Sequence, residues 1–216
     1  MAEILSLADT ELESALSSAL KCITDGFVIA VPLEHSYAFA CNAFDEDAVR
    51  AMHVLRHDEV GVAAQVMVAN AAAVSGILRN TTWQLQSLME NFWPGLLSIN
   101  AQPQPGLRWD LGDFKKLDLI SVRVPKSDFM LALLSQSGPL AVASAVATGK
   151  APRREVAQLA EYHDEIPLII DGGTLPAGPA STILTARDNS ITAVRIGAIT
   201  LEQLKEIQPS VSAATY

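Results

Sequence analysis

The chain reads as an α/β protein whose twisted sheet mixes parallel and antiparallel strands and carries helices on its faces. Three observations lead there. Short apolar runs alternate with helix-period segments, but irregularly. Strand-like runs adjoin one another near the middle and near the end of the chain, which excludes a clean doubly wound repeat. Half of the residues are hydrophobic and only 18% are charged, which excludes a disordered chain or a coiled coil.

The elements follow in order. Thr10-Glu11-Leu12-Glu13 has capping-box spacing, and Leu12, Leu16, Leu20 and Ile23 recur on one helical face. Asp25-Gly26 stops that helix, and Phe27 to Val31 follows as a buried strand. Residues 45–55 form a second helix, its acidic start suited to the positive end of the helix dipole. Ala64 to Val68 is strand-like, Asn70 to Leu78 and Thr82 to Asn91 are helical, and Leu96 to Ile99 is a strand. Prolines, glycines and charges mark Pro103 to Lys116 as a surface excursion carrying Trp109. Then come strand Leu119–Val124, helix Ser127–Ser135, strand Leu140–Ser144, helix Arg153–Tyr162 and strand Leu168–Ile170. Ser181–Leu184 and Ile191–Arg195 form a hairpin, and Leu201–Ile207 a last helix. One domain is expected over residues 1–208, and Pro209 to Tyr216 is small and polar, hence a flexible tail.

Composition narrows the setting. The formal charge of -9 over 216 residues opposes non-specific nucleic-acid binding across the whole surface, while leaving a local basic groove open. Two cysteines, Cys22 and Cys41, are too few for a disulfide scaffold. Neither a signal-peptide pattern nor a membrane-length apolar run is present, so a cytoplasmic protein with no membrane partner is expected. No phosphate-binding loop of the G-x-x-x-x-G-K-[ST] type occurs. His53 and His57 share a helical face with Asp58 nearby, but no third ligand accompanies them, so no metal site is expected.

Two strands end in small residues, at Val142-Ala143-Ser144-Ala145 before Gly149 and at Gly178-Pro179-Ala180-Ser181. Small side chains let a ligand approach the backbone closely, so two such mouths suggest a small-molecule site.

In order and spacing, these segments resemble the YrdC-like threonylcarbamoyl-AMP synthase family over roughly Leu20 to Leu204. Val31-Pro32, Tyr37 and Asn42-Ala43-Phe44-Asp45 are similar to its opening PTDTVYGL…DAF segment. Phe92-Trp93-Pro94-Gly95 resembles its FWPGxLT turn, and Ser121-Val122-Arg123-Val124-Pro125 its RxP strand. Ser144-Ala145 with Gly149 resembles SSANxSG, Ser181-Thr182-Ile183 resembles STxxD, and Val194-Arg195-Ile196-Gly197 resembles LRxG.

The resemblance implies a twisted mixed sheet with flanking helices around a concave cavity. It also implies a nucleotidyltransferase joining L-threonine, bicarbonate and ATP, with Mg²⁺, into threonylcarbamoyl-AMP for tRNA modification. Arg56, Ser144 and Arg195 would then face nucleotide, and His35, Arg123 and Ser181 the smaller substrate; no catalytic residue is assigned. The departures are local. PTDT reads Pro32-Leu33-Glu34-His35, Asp58 stands where the family's phosphate clamp has its second cation, and Val146 replaces an asparagine. They leave open a second reading, a member that binds a nucleotide, a small anion or double-stranded RNA without turnover.

Overall fold

The structure is a computed structural model and describes residues 1–188 and 190–214. Its strands are β1 (Glu3–Ser6), β2 (Ile29–Pro32), β3 (Tyr37–Asn42), β4 (Gln65–Met67), β5 (Leu97–Ala101) and β6 (Ile120–Arg123). They continue as β7 (Leu140–Ser144), β8 (Leu168–Asp171), β9 (Thr182–Arg187), β10 (Ser190–Arg195) and β11 (Ser212–Ala213). The helices are α1 (Leu12–Thr24), α2 (Glu46–Arg56), α3 (Trp83–Phe92), α4 (Asp128–Ser137) and α5 (Leu201–Ile207). All strands join one sheet in the order β1-β8-β2-β3-β7-β4-β6-β5-β9-β10-β11. Pairings such as β1 with β8 and β5 with β9 are parallel, while β2–β3, β3–β7 and β9–β10 are antiparallel. This is the mixed α/β sheet that the sequence indicates.

Apolar side chains cover both faces of the sheet. Ala15, Leu16, Ala19 and Ile23 of α1 pack with α4 over Ile29, Val31, Ala38 and Ala40. Across the sheet, Phe39 and Cys41 meet Val49 and Met52 of α2, with Leu88 of α3 and Leu204 of α5 in the same core. Successive residues of β3 therefore enter opposite cores, and the strand loses the polar–apolar alternation by which a half-exposed strand is recognised. The buried face of α1 runs through Ala15 and Ala19, leaving Leu12 exposed, and Glu11 rather than Thr10 precedes the helix, without a side-chain cap. The capping box forms instead at Thr200 and Gln203, at the start of α5.

Four expectations need correction. Residues 71–76 and 156–162 are 3₁₀ rather than α-helical. In the first, Asn70 accepts from Ala73 N–H and Ser75 donates to the Ala72 carbonyl, local bonds that compete with an α-helical pattern. The Pro103–Lys116 segment is a surface excursion only in part: Pro105, Gly106, Arg108 and 114–116 are exposed, but Trp109 and Leu111 are buried, and Trp109 packs the loop down by meeting Phe44 edge-on at 5.0 Å. The expected tail is tied to the sheet, because Val211 is buried and β11 pairs with β10, with Ala214 N–H donating to Ala193. Thr215 and Tyr216 lie outside the described residues. No helix among the described residues is long and apolar enough to cross a membrane.

Candidate functional site

The strand ends converge on one cavity of about 710 Å³. His35, Arg56, Arg123, Ser144, Ser181 and Arg195 all line it. Each reaches it for a local reason. Ser144 closes β7 and Arg123 closes β6, while Ser181 immediately precedes β9. Arg195 ends β10 just after the register slips between Ala193 and Arg195, and such a bulge re-aims the side chain that follows it. His35 lies in the β2–β3 connection, where its Nδ1 meets the Pro176 carbonyl at 3.3 Å. The imidazole packs on Gly178, where a Cβ would come within 2.4 Å of three ring atoms.

The four arginines of the wall differ in what holds them. Arg56 donates Nε to Asp58 at 2.9 Å, Nη1 to the carbonyls of Ser144 and Val146, and Nη2 to Thr148. Asp58 also meets His53 Nδ1 at 2.8 Å and accepts from the Thr148 hydroxyl. Burial alone would raise the Asp58 carboxyl; hydrogen bonds from Arg56, Thr148 and His53 hold it below the usual range. Asp58 therefore does not stand unpaired beside a bound phosphate, as its place in the sequence suggests. Its side chain is nearly out of solvent, and ties the 144–148 loop to the end of α2.

Arg123 is held almost as firmly. Its Nε donates to the Gly95 carbonyl at 2.8 Å and its Nη2 to Glu34, which also accepts from Lys126 N–H at 2.7 Å. Burial pushes the Glu34 carboxyl up, but the Arg123 guanidinium together with backbone N–H donors outweighs it, and the group stays below the usual carboxylate range.

Arg195 and Arg154 have no carboxylate partner among the described residues. Arg195 donates Nε to the Ser181 carbonyl at 3.0 Å and Nη2 to the Ser181 hydroxyl at 2.9 Å. Partial burial, and then the nearby charge of Arg123, lower its pKa. Arg154, which sequence reasoning passed over, spends one bond on the Leu175 carbonyl at 3.2 Å and lines the same cavity. Its only signal was the Pro152-Arg153-Arg154 run beyond the first small-residue mouth.

Val146 is buried and does not line the cavity. Thr182 is fully buried, donating to the Ile199 carbonyl at 2.6 Å and accepting from the N–H groups of Gly197 and Ile199. It pins the chain after β10 to β9. Among the described residues no cluster of three or more metal-binding side chains occurs, and both carboxylates of the cavity are ion-paired.

A twisted mixed sheet closing on one arginine-lined hollow places the chain in the YrdC-like class of α/β domains. The Sua5/YciO/YrdC family model, described as telomere recombination, matches residues 21–197, and the chain belongs to that family. It is 28% identical over 209 residues to a Mycobacterium tuberculosis protein provisionally named a threonylcarbamoyl-AMP synthase, covering 96% of this chain and 95% of that one. It is 28% identical over 197 residues to the Bacillus subtilis threonylcarbamoyl-AMP synthase, covering 89% of this chain and 56% of that protein. Among solved structures, P. abyssi Sua5 complexed with L-threonine superposes with a TM-score of 0.89 at 24% identity, over 99% of this chain and 63% of that one. This chain thus spans less than two thirds of those longer relatives. E. coli YciO superposes with a TM-score of 0.81 at 21% identity, over 94% of this chain and all of its own. The two superpositions show the fold.

Proposed function

We propose that the chain is a threonylcarbamoyl-AMP synthase-type nucleotidyltransferase. In that reading L-threonine takes up bicarbonate at its amine, with loss of water. The carbamate oxygen then attacks the α-phosphorus of ATP and pyrophosphate leaves. One observation carries it: Arg195, held against Ser181, and Arg154 line the same cavity as cations without a carboxylate partner among the described residues. Guanidinium suits phosphate by both charge and geometry. Ser144 would sit beside the nucleotide, with His35 and Arg123 toward the amino acid. Mg²⁺ would arrive on the triphosphate, since Glu34 and Asp58 are already spent on arginines. The product would serve tRNA modification, in the cytoplasm.

A second reading, nucleotide or anion binding without turnover, is favoured by Arg56. Each of its guanidinium nitrogens already donates to the protein, so it has little left for a phosphate. Calorimetric titration with ATP, joined to a pyrophosphate-release assay with L-threonine, bicarbonate and Mg²⁺, separates the two. Release that depends on both L-threonine and bicarbonate supports the synthase. ATP binding with no release supports the second reading, and absence of ATP binding removes the synthase and leaves the second reading only with a smaller anion or double-stranded RNA as its ligand.

A further inference from the structure

Gln65 opens β4 inside the cavity wall, in an otherwise apolar run, and the sequence gives no hint of a role for it. Its Nε2 lies 2.9 Å from Ser98 Oγ and 3.0 Å from Ser121 Oγ. An amide nitrogen can only donate, so each serine oxygen accepts from it. Ser98 is fully buried, and its own proton goes to Ser181 Oγ at 3.1 Å. Ser181 Oγ accepts a second bond from Arg195 Nη2 at 2.9 Å. Both lone pairs of the Ser181 oxygen are then in use, which leaves its proton for whatever occupies the cavity it lines. Ser121, also on that wall, accepts one bond from Gln65, so its proton points away from the amide while one lone pair of its oxygen stays open.

We propose that Gln65 is a positioning residue that sets the polarity of this wall. By giving one amide proton to Ser121 and the other to Ser98, it turns the Ser181 proton toward the cavity and the Ser121 proton away from the amide. Beside Arg195, the Ser181 hydroxyl then meets the cavity as a donor with no lone pair to spare, and this corner takes an oxyanion, of phosphate or carboxylate type, in preference to a guest that offers its own donor there. This rests on the reading of the cavity as an anion site and adds the residue that gives the site its direction.

The test is calorimetric binding of inorganic pyrophosphate, with acetate as the carboxylate arm, to the wild-type chain and to variants at position 65. Gln65→Met removes both donated protons without adding charge, letting Ser98 take the Ser181 proton; affinity should fall about threefold or more. Gln65→Glu draws the Ser98 proton to itself and reverses the relay; affinity should fall about tenfold or more. Because the glutamate also adds charge, Gln65→Glu is repeated in a Ser98→Ala background, where the relay is cut and the loss should shrink. Unchanged affinity in Gln65→Met, or an equal loss with and without Ser98, overturns the proposal.

A readout without ligand separates this from failure of the cavity reading. In Ser181→Cys the thiolate would accept from Ser98 and Arg195, so its alkylation midpoint should lie below the ordinary thiol value of about 8.5. Adding Gln65→Met should raise it. If neither anion binds but the midpoint moves in this way, the relay stands and the anion site falls. If the anions bind but the midpoint and affinities ignore Gln65, the relay falls alone.

Discussion

Asp58 Oδ2 lies 2.9 Å from Arg56 Nε although only one residue separates them, because His57 between them adopts left-handed backbone with φ 53°. That turn ends α2 and folds the chain back, so that Asp58 faces His53 as well as Arg56. A carboxylate that seems in the sequence to spoil a phosphate site is in fact the counter-ion that holds Arg56 in the wall.

Asp58→Asn should therefore cost stability and free a cation at the same time. Removing one partner of a buried, hydrogen-bonded pair leaves the other uncompensated, and a loss of about 3 kcal/mol is expected. Urea unfolding measures it. Pyrophosphate affinity should rise in the same variant, since Arg56 loses its carboxylate. A stability loss with no rise in affinity would make Arg56 purely architectural.

Acid should unfold the protein through the same contacts. Asp58 and Glu34 both have folded-state values below their unfolded ones. Their stabilisation is thus complete above the unfolded carboxylate value, about 4, and is lost as pH falls through the lower folded values. Stability measured from pH 7 downward should hold until about pH 4 and then decline. The decline should be shallower in a Glu34→Gln, Asp58→Asn double variant. An equally steep decline in that variant places the acid sensitivity elsewhere.

Gly178→Ala should strike His35. The new methyl would lie 2.4 Å from the imidazole, so either the ring or the 176–180 segment must move. Overpacking in a closed core costs about 1–3 kcal/mol, and the ring's room to swing toward the cavity puts this site at the low end, about 1 kcal/mol. His35→Ala makes room, so Gly178→Ala should cost much less in that background, and thermal unfolding of the four proteins gives the coupling. Additive effects would show that the ring and the glycine do not meet in solution.

What could be read from the sequence, and what could not, follows from these contacts. The two small-residue mouths that carry Ser144 and Ser181 could be read from composition, whereas His35, Arg56, Arg123 and Arg195 were picked out only through the family resemblance; all six line the cavity. β3 was not legible, since Tyr37 to Cys41 feeds two cores and shows no alternation. β1 and β11 escaped notice because they are short, lie at the two edges of the sheet and depend on pairing with β8 and β10. Partnership was the least legible feature. Glu34 reaches Arg123 across 89 positions, and Thr148 reaches Asp58 across 90, with no local pattern to announce either.

Val146→Asn makes the same point in reverse. Aligned motifs suggest that restoring an asparagine here would restore a ligand contact. The valine, however, is buried off the cavity, and its carbonyl already accepts from Arg56 at 3.0 Å. An asparagine would carry its amide into apolar surroundings, at a cost of about 1–3 kcal/mol. Pyrophosphate affinity should not increase, because the new side chain does not reach the Arg195 wall. Denaturant unfolding and calorimetry on one preparation check both halves. Tighter binding at unchanged stability would mean that the 144–148 loop turns this residue toward the ligand after all, and that its fastening by Arg56 and Asp58 is released on binding.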